Sequence, residues 1–478
     1  MANSRKPRPS SPLAEAARAL AAINPAGKTL TAGLSGGLDS VVLLHVLLAL
    51  RKRLAFSVSA VHVNHGLSPN ASRWEAFCRG LCSTLRVPLA VERVNVARKR
   101  AGGLEAAARG SRYRAFAAHA GDAVVLAHHQ DDQVETLLLQ LLRGAGVRGL
   151  AAMPAASGTP TAPAISAEDP QRTPRLPVPV LRPLLALPRS ALLAYARRHK
   201  LKWVQDESND LVVQKRNFLR HEVLPEIERA FPAYRTTIAR SASHCAEAAT
   251  LLDEIGAADV GKINARARSG GRVNCARLRR LAPARAANAL RVFLARHGLI
   301  PPGTDRLREM LRQLMAARGD AQIRIEHDGV ELRRFRDAIW VVAVRSASTS
   351  RAMLAWNGET KLEFGAGVLE FKTRGIGNGL SLARLRAAPV SVRSRKGGES
   401  LRPDAARPRR SLKNLMQESA VPPWERGQLP LLYSGTSLAW VPGVGTDCAF
   451  SANPGEAALF VTWRPHAGAA PRRARAQR

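Results

Sequence analysis

Short apolar runs and amphipathic stretches alternate along the chain from about Leu20 to Asn217. The apolar runs have the length of strands, and the stretches between them repeat apolar residues at the three- and four-residue spacing of a helix. The predicted strands are Thr29–Leu34, Phe56–Val63, Leu89–Val96 and Ala123–Ala127. The predicted helices are Ser40–Leu50, Ala71–Leu85, Leu104–His119 and Asp132–Arg143. This alternation predicts an α/β fold whose N-terminal domain is a doubly wound parallel sheet, in which ligands bind at the carboxyl ends of the strands.

The pattern changes after Pro225, where Ala-, Leu- and Arg-rich stretches keep a helical spacing. These stretches are Glu226–Val260, Ala282–His297 and Asp305–Ala317, and short β-type runs follow at Gln322–Glu326, Ala338–Val344 and Val368–Thr373. A further helix is predicted near Ser411–Ser419. We therefore expect a helical second domain followed by a small α+β C-terminal domain.

The same changes in pattern predict the domain boundaries. The expected parts are a basic flexible tail over residues 1–20, the parallel-sheet domain over 21–222, the mainly helical domain over 223–345, the α+β domain over 375–465 and a basic tail over 466–478. Within the first domain, Pro154–Pro183 is rich in Pro, Ala, Ser and Thr and lacks periodicity, which predicts a mobile loop. The pattern leaves open whether this loop is a lid or a passive insertion.

A glycine turn joins the first predicted strand to the first predicted helix, with the sequence Ser35-Gly36-Gly37-Leu38-Asp39-Ser40. Backbone N–H groups at such a strand–turn–helix junction converge on an anion, and the glycines let the main chain come close to it. Asp39 would repel a phosphate unless Mg²⁺ lay between them, so the loop predicts a metal-bridged pyrophosphate. The alternative interpretation is a helix N-cap after a glycine turn. The loop fits neither a Walker A motif nor the dinucleotide-binding fingerprint.

A second polar segment, Leu126–Thr136, ends the fourth predicted strand and opens a helix. Asp132 and Glu135 are three residues apart and therefore share a helical face. Together with the histidines that precede them, His128 and His129, these carboxylates could hold an ammonium group and accept its proton. The same Asp-x-x-Glu spacing is also a helix-capping arrangement, and the sequence leaves both interpretations open.

Three further patterns say little about function when each is taken alone. His62 lies near the end of the second predicted strand, either as a polar strand terminus or as part of a purine pocket. Arg109 and Arg112 share a helical face, either as solvated side chains or as phosphate ligands. Trp203–Asn209 followed by Arg216 is by itself no more than a helix entry and a basic helix.

The charge of the chain favours a polyanionic partner. Lys and Arg number 73 against 37 Asp and Glu, a formal net charge of +36, and the excess runs through the interior of the sequence as well as its ends. We therefore expect a nucleic-acid substrate, with an arginine-rich proteome as the alternative cause. The segment Val392–Lys413 concentrates eight basic residues against two acidic ones, which suits contacts with phosphates.

Cysteine usage and hydropathy exclude several classes of protein. Five cysteines are too few and too scattered for a disulfide scaffold, and the sequence has no C-x-x-C pair, so a structural metal or iron–sulfur centre is not expected. No apolar run reaches transmembrane length, and the N-terminus lacks the hydrophobic segment of a signal peptide. We expect a cytoplasmic protein with no membrane partner.

Taken together, the motifs resemble those of a known family. SGGLDS resembles the PP-loop of the N-type ATP pyrophosphatases, which split ATP into AMP and pyrophosphate. HVNHGLS, ARGSRY, LAHHQDDQVET, RGAGVRGL, RPLL and the DESN…RN segment follow in one order, and this series, from about Leu30 to Pro225, resembles the tRNA(Ile)-lysidine synthases. The resemblance resumes from Val392 to Asp447, where the family has a C-terminal tRNA-binding domain, and it is loose in between. The Pro-rich loop and the basic tails depart from the family pattern.

The resemblance implies an ATP- and Mg²⁺-dependent ligase that joins L-lysine to C2 of the wobble cytidine in the CAU anticodon of tRNA(Ile). An adenylated cytidine is the implied intermediate, and lysidine, AMP and pyrophosphate are the products. The modification converts codon specificity to AUA and amino-acid identity from Met to Ile. By the same resemblance, residues 21–222 are the catalytic PP-loop domain, and residues 223–345 and 375–465 contact tRNA. A homodimer is left open.

Roles for individual residues are also implied. ATP would be bound by Ser35, Gly36, Gly37, Leu38, Asp39, Ser40 and His62, with Mg²⁺ on Asp39. The implied catalytic residues are Asp39, Arg109, Arg112, His128, Asp132, Glu135 and Arg216, and which of Arg109 and Arg112 contacts phosphate is left open. Lysine would bind Asp132 and Glu135. Contacts with tRNA would be made by Arg393, Arg395, Lys396, Arg402, Arg409, Arg410 and Lys413.

Three alternative functions differ in what they require. A PP-loop tRNA thiolase normally needs a reactive cysteine pair, which the sequence lacks at suitable positions. A glutamine-dependent amide synthetase needs an ammonia-generating domain, and none is visible. A non-catalytic basic RNA-binding protein would have no need to keep both SGGLDS and DDQVET.

Overall fold

The structure, a computed structural model, describes residues 11–66, 68–94, 103–157, 178–205, 215–263, 272–316, 323–343, 353–365, 367–374 and 379–465. The chain forms two compact units, Met1–Ala316 and Ala317–Arg478. Strands of the first unit are β1 Thr29–Gly33, β2 Ser57–Asn64, β3 Leu89–Arg93, β4 Ala123–Val125, β5 Ala156–Ser157, β6 Val180–Leu181 and β7 Val273–Asn274. Its helices are α1 Pro12–Ala21, α2 Leu38–Leu50, α3 Ala71–Leu85, α4 Gly103–His119, α5 Gln130–Leu141, α6 Val147–Leu150, α7 Arg189–Arg198, α8 Lys215–Phe218, α9 Leu224–Ala230, α10 Tyr234–Ile263, α11 Cys275–Arg279, α12 Pro283–Arg296 and α13 Thr304–Ala316.

Six strands of the first unit form one sheet in the order β3-β2-β1-β4-β6-β5. The first five of these strands pair in parallel, and β5 is antiparallel at the edge. The predicted doubly wound parallel sheet is therefore confirmed. The strand order reverses direction between β1 and β4, and ligands of such sheets bind beyond the strand ends at this point.

Helices cover both faces of the sheet. α2 is apolar on nearly every side, and residues such as Val42, Leu43 and Leu47 are fully buried, as expected for a helix enclosed on all sides. It contacts α1 and α7 in a core that includes Leu20 and Leu192. On the opposite face, Tyr113 and Phe116 of α4 pack in a smaller hydrophobic cluster with residues of the sheet such as Val61 and Val124. This packing fixes the amino end of α2 at the carboxyl end of β1.

Two sequence-based expectations are corrected in the first unit. Residues 12–20 were expected in a flexible tail, but they belong to α1, which Ser11 caps through its side chain and which buries Ala16, Ala17 and Leu20. The ends of the expected loop Pro154–Pro183 are strands β5 and β6 of the sheet. Residues 158–177 of that segment lie outside the described residues.

The expected helix Glu226–Val260 is two helices, α9 and α10. The interruption coincides with Pro232, which has no N–H to donate and disfavours a helical conformation of the residue before it. Before α9 the chain makes a π-helical turn over Leu219–Val223. This turn carries Arg220, which reaches the site described below.

The second unit is mainly antiparallel. Its strands are β8 Arg324–His327, β9 Val330–Phe335, β10 Ala338–Ala343, β11 Met353–Ala355, β12 Lys361–Phe364, β13 Gly367–Arg374, β14 Leu380–Ser381, β15 Val390–Arg393, β16 Ser400–Leu401, β17 Arg410–Ser411, β18 Leu431–Ser434, β19 Ser437–Val441, β20 Gly445–Thr446 and β21 Ala458–Pro465. Its helices are α14 Leu382–Leu385, α15 Leu412–Glu418 and α16 Pro423–Arg426. Strands β11-β15-β18-β19-β20 form one sheet and β12-β13-β21-β14 another, which confirms the expected α+β character. Across both units, none of the described helices is long and apolar enough to cross a membrane.

Candidate active site

The PP-loop, residues 35–40, follows β1 and leads into α2. Gly36 has a φ of +89°, and a Cβ there would lie 3.0 Å from Val204 and 3.1 Å from the Cys78 sulfur. Both the left-handed backbone and the close neighbours therefore require glycine. The Gly36 carbonyl also accepts a hydrogen bond from Val204 N at 3.0 Å, which ties the loop to the chain after α7.

Ser40 braces this loop from inside. Its buried Oγ accepts from Ser35 N and Gly36 N, both at 3.2 Å, and donates to Gly37 O at 2.9 Å. Ser35 is exposed, and its Oγ lies 3.1 Å from that of Ser40. Of the two predicted serine ligands, Ser35 is accessible to an anion and Ser40 holds the loop in shape.

Asp39 lies in the first turn of α2 without a hydrogen-bonded partner for its buried Oδ1 among the described residues. Its nearest cations are at ion-pair distance, with His129 Nε2 3.7 Å from Oδ2 and Arg189 Nε 3.8 Å from Oδ1. An orphaned carboxylate oxygen fits Mg²⁺, which binds one or two carboxylates together with substrate phosphates and water. Among the described residues, this site included, no group of three or more His, Cys, Asp or Glu side chains is placed to hold a metal ion, so a Mg²⁺ on Asp39 would take its other ligands from phosphates and water.

His129 is the centre of an acidic cluster at the carboxyl end of β4. Its ring is buried, with Nε2 3.5 Å from Asp132 Oδ2 and Nδ1 3.6 Å from Asp131 Oδ2. Burial acts to lower the pKa of His129, but Asp131, Asp39 and Asp132 together raise it to about 10. The sequence analysis assigned the catalytic role to His128, which is half-buried. Two adjacent histidines in a sequence do not indicate which of them lies among carboxylates, and here it is His129.

Asp132 and Glu135 lie on one face of α5, as expected from their spacing. Asp132 Oδ2 accepts a hydrogen bond from His129 N at 3.0 Å, so Asp132 does cap α5, but as the third helical residue after the N-cap His129 and not in a pair with Glu135. Burial acts to raise the pKa of Asp132, but His129 and other positive charges lower it. Burial raises the pKa of Glu135, against the effect of the arginines beside it. The two neighbouring carboxyl groups thus differ in proton affinity.

Two arginines from the segment after residue 214 neutralise Glu135. Arg220 Nε donates to Glu135 Oε1 at 2.7 Å, and Arg216 Nε lies 3.0 Å from Oε2. Arg216 was expected at the site and Arg220 was not. The sequence signal that could have identified Arg220 is its spacing of four residues from Arg216, which puts both arginines on one helical face. Asp206, Ser208 and Asn209 of the same motif lie outside the described residues.

Asp131 connects three elements around the site and was also missed. Its Oδ2 accepts from Arg189 N at the start of α7 at 2.9 Å, and its Oδ1 accepts from Arg235 Nε of α10 at 2.7 Å. Burial acts to raise the pKa of Asp131, but His129 and these hydrogen bonds lower it. Asp131 is thus an ionised anchor that fixes α7 and α10 to the end of β4.

The structure gives less direct support for the residues that were expected near the purine and the phosphates. His62 is buried in β2, and its Nδ1 donates to Leu34 O at 2.9 Å, which supports the chain just before the PP-loop. Burial lowers the pKa of His65 to about 4, and the positive charge of Arg112 acts in the same direction. Arg112 is exposed on α4, whereas the side chain of Arg109 lies outside the described residues.

In the second unit, five of the seven expected tRNA contacts are engaged within the protein. Arg393 lies over the Tyr433 ring, Arg395 pairs with Glu399, Arg409 with Asp447 and Arg410 with Glu418, and Arg402 donates to the Arg407 carbonyl. Lys396 and Lys413 are exposed, and neither forms an ion pair with the described acidic residues. These two side chains are the most accessible of the set to a phosphate.

Three family models match the chain. Residues 12–227 match a PP-loop domain, residues 274–340 the TilS substrate binding domain, and residues 390–463 the TilS substrate C-terminal domain. A tRNA(Ile)-lysidine synthase from Nitrosomonas europaea is 46% identical over 92% of this chain and 92% of its own length. Another from Azoarcus sp. is 40% identical over 96% of each chain. A solved structure of the U34-tRNA thiolase NcsA from Methanococcus maripaludis covers 49% of this chain and 78% of its own, at 15% identity and a TM-score of 0.39.

Proposed function

Because the chain belongs to the tRNA(Ile)-lysidine synthase family, we propose that it ligates L-lysine to C2 of the wobble cytidine in the CAU anticodon of tRNA(Ile) at the expense of ATP. One observation carries the proposal: the PP-loop and the acidic pair Asp132 and Glu135 meet at one edge of the sheet. His129 lies between them, within 3.7 Å of Asp39 and 3.5 Å of Asp132. Nucleotide activation and amine capture can therefore share one site.

In the first step, O2 of the cytosine attacks the α-phosphorus of ATP, and pyrophosphate leaves. The amino end of α2 and the exposed Ser35 would bind the phosphates, as helix N-termini do. Asp39 would hold Mg²⁺, which supplies charge neutralisation on the phosphate oxygens. Arg216 and Arg220 add positive charge on the other side of His129, and His62 supports the loop from below through Leu34 O.

In the second step, the ε-amine of lysine attacks C2 and AMP leaves. The amine has a pKa near 10.4 in water, so it must be held as a cation and then deprotonated. The lowered pKa of Asp132 suits the holding role, and the raised pKa of Glu135 suits proton acceptance. The lysine ammonium would take over part of the Glu135 contact now made by Arg216 and Arg220.

The remaining expectations belong to the same proposal. L-lysine and Mg²⁺ are the implied small-molecule partners, the protein acts in the cytoplasm, and a homodimer stays open until the mass in solution is measured. Lys396 and Lys413 are the first candidates for tRNA phosphate contacts in the second unit, since both ammonium groups are exposed.

A tRNA thiolase is the alternative within the PP-loop class. Its chemistry needs a thiolate, and Cys78 and Cys82 lie four residues apart on α3, with the Cys78 sulfur beside Gly36. Both thiols are buried, and burial raises the pKa of Cys78 to about 12 and that of Cys82 to about 11. Such thiols stay protonated at neutral pH and react poorly. The geometry therefore favours the ligase.

The decisive experiment supplies labelled lysine, ATP and unmodified tRNA(Ile), and follows label into the anticodon nucleoside. We expect label in the wobble position, with AMP and pyrophosphate released in equal amount. Methionine tRNA with the same anticodon is the matched control and should stay unlabelled. Formation of ADP and orthophosphate, or no consumption of ATP with all substrates present, would refute the proposal.

A further inference from the structure

Arg189 carries a positive charge beside the PP-loop that the roles above do not use. It is the first residue of α7, and the hydrogen bond from its backbone N to Asp131 holds its backbone in place. The side chain itself is 53% exposed, and its Nε lies 3.8 Å from Asp39 Oδ1. Among the described residues the guanidinium donates no hydrogen bond, and about half of the side chain is open to solvent.

The contact between Arg189 and Asp39 is loose enough to be exchanged. A separation of 3.8 Å is too long for a hydrogen bond, and an ion pair half in water is weak. Arg216 and Arg220 are held more firmly than Arg189, because they lie 3.0 Å and 2.7 Å from the buried Glu135. If Asp39 turned to a metal ion, the guanidinium of Arg189 would lose its anion while remaining beside the loop.

We propose that Arg189 contacts the two outer phosphates of ATP, the part that leaves as pyrophosphate. The inference rests on the proposed function. A Mg²⁺ held by Asp39 would neutralise the phosphates of ATP, and the Arg189 guanidinium lies 3.8 Å from the same carboxylate, so it would lie near the same part of the nucleotide.

The chemistry of the first step gives this contact a purpose. A bond forms between the cytosine oxygen and the α-phosphorus, and the bond from that phosphorus to the oxygen leading to the β-phosphate breaks. The electron pair stays on the departing oxygen, so negative charge grows on pyrophosphate. A planar guanidinium can donate two parallel hydrogen bonds to phosphate oxygens, which suits this group better than a lysine would.

Binding measurements without tRNA or lysine test the contact directly. Calorimetric titration with Mg²⁺ present would compare ATP, pyrophosphate and AMP on the wild-type protein and on Arg189→Ala. We expect affinity for ATP and pyrophosphate to fall about tenfold to a hundredfold, as for loss of hydrogen bonds to a charged group. Affinity for AMP should be unchanged, because AMP lacks the outer phosphates. The affinities of Arg189→Lys for ATP and pyrophosphate should lie between those of the wild type and those of Arg189→Ala.

The matched control is Arg198→Ala, which removes an exposed arginine from the other end of α7. It should bind all three ligands as the wild type does. Unchanged ATP affinity in Arg189→Ala would overturn the inference, and so would an equal loss for ATP and AMP, which would mean that Arg189 only shapes the loop. If Arg189→Ala melts early, Arg189→Gln, which keeps the length of the side chain, gives the same comparison.

The two proposals fail separately. A protein that shows the ATP-selective loss but never forms lysidine would refute the function and leave the role of Arg189 intact. Normal lysidine formation by the wild type, with the same ATP affinity in wild type and Arg189→Ala, would refute the role of Arg189 alone.

Discussion

Asp132 combines two roles that the sequence left as alternatives. Its Oδ2 accepts the capping hydrogen bond from His129 N at 3.0 Å, and the carboxylate also faces the site as a negative charge. A cap needs only an acceptor atom, whereas holding an ammonium ion needs the charge. Asparagine keeps the first property and removes the second, so it separates the two roles.

Asp132→Asn should raise the KM for lysine about tenfold or more, because a charge-assisted hydrogen bond is lost. Its free energy of unfolding should fall only by the contribution of the ion pair with His129, because the cap is kept. Asp132→Ala removes the cap as well and should lower the free energy of unfolding by about 1 kcal/mol more. Lysine incorporation and urea unfolding measure the two effects. Exchange of pyrophosphate into ATP should survive in both, and its loss with lysine binding intact would reverse the assignment.

His129 should make the protein less stable as the pH rises above neutrality. Its pKa is about 10 in the folded protein against an ordinary value of 6.5, so the folded state keeps a proton that the unfolded state loses. This stabilisation is complete below about pH 6.5 and is lost as the pH approaches 10. The excess free energy of unfolding of the wild type over His129→Asn should therefore shrink by a few kcal/mol across that range. A constant excess would show that the three carboxylates do not hold an imidazolium.

At the scale of elements, α1 is the clearest test of packing. Leu20 is 1% exposed and lies in the core formed with α2 and α7. Leu20→Ala should lower the free energy of unfolding by about 2–5 kcal/mol, through lost burial and the cavity that remains. Arg18→Ala, on the exposed side of the same helix, is the control and should change it much less than Leu20→Ala does. Equal effects in urea unfolding would mean that α1 does not pack as described.

The strength of the local pattern decided which elements could be predicted. α3 has the predicted bounds, and β1 and α2 differ from the prediction by one or two residues, because apolar residues repeat strongly in them. α1 escaped notice because five of its ten residues are alanine and its only large apolar residues are Leu13 and Leu20. β5 and β6 are two residues long and have no period to detect.

In the candidate site, too, only the parts with a strong local sequence pattern could be predicted. The PP-loop and the Asp132–Glu135 face could be predicted because each is complete within six or fewer residues. Their partners could not be, since Arg189 and Arg235 contact Asp131 across 58 and 104 positions of sequence. Such pairings depend on how α7 and α10 pack against the end of β4, and a single sequence shows no sign of that packing.

At the scale of the whole molecule, the net charge of +36 predicts tRNA binding that weakens steeply with salt. Each phosphate contact releases bound counterions, so the slope of log affinity against log salt concentration counts the contacts. Most expected tRNA-binding arginines of the second unit are already paired with acids or carbonyls, as Arg409 is with Asp447 at 3.0 Å. The exposed lysines Lys396 and Lys413 should therefore supply most of the contribution that the seven expected residues make to the slope.

Replacing Lys396 and Lys413 together by alanine should reduce the salt slope by about 1.4–1.8, which corresponds to two phosphate contacts. Filter binding of tRNA(Ile) over a range of salt concentrations measures it. The matched control replaces Lys52 and Arg53, two exposed cations after α2 at the end of that helix away from the PP-loop. Both variants lose two positive charges, so a general effect of net charge would reduce both slopes equally. A fall confined to the lysine pair indicates direct contact with the RNA backbone, because only phosphates bound at those side chains release counterions there.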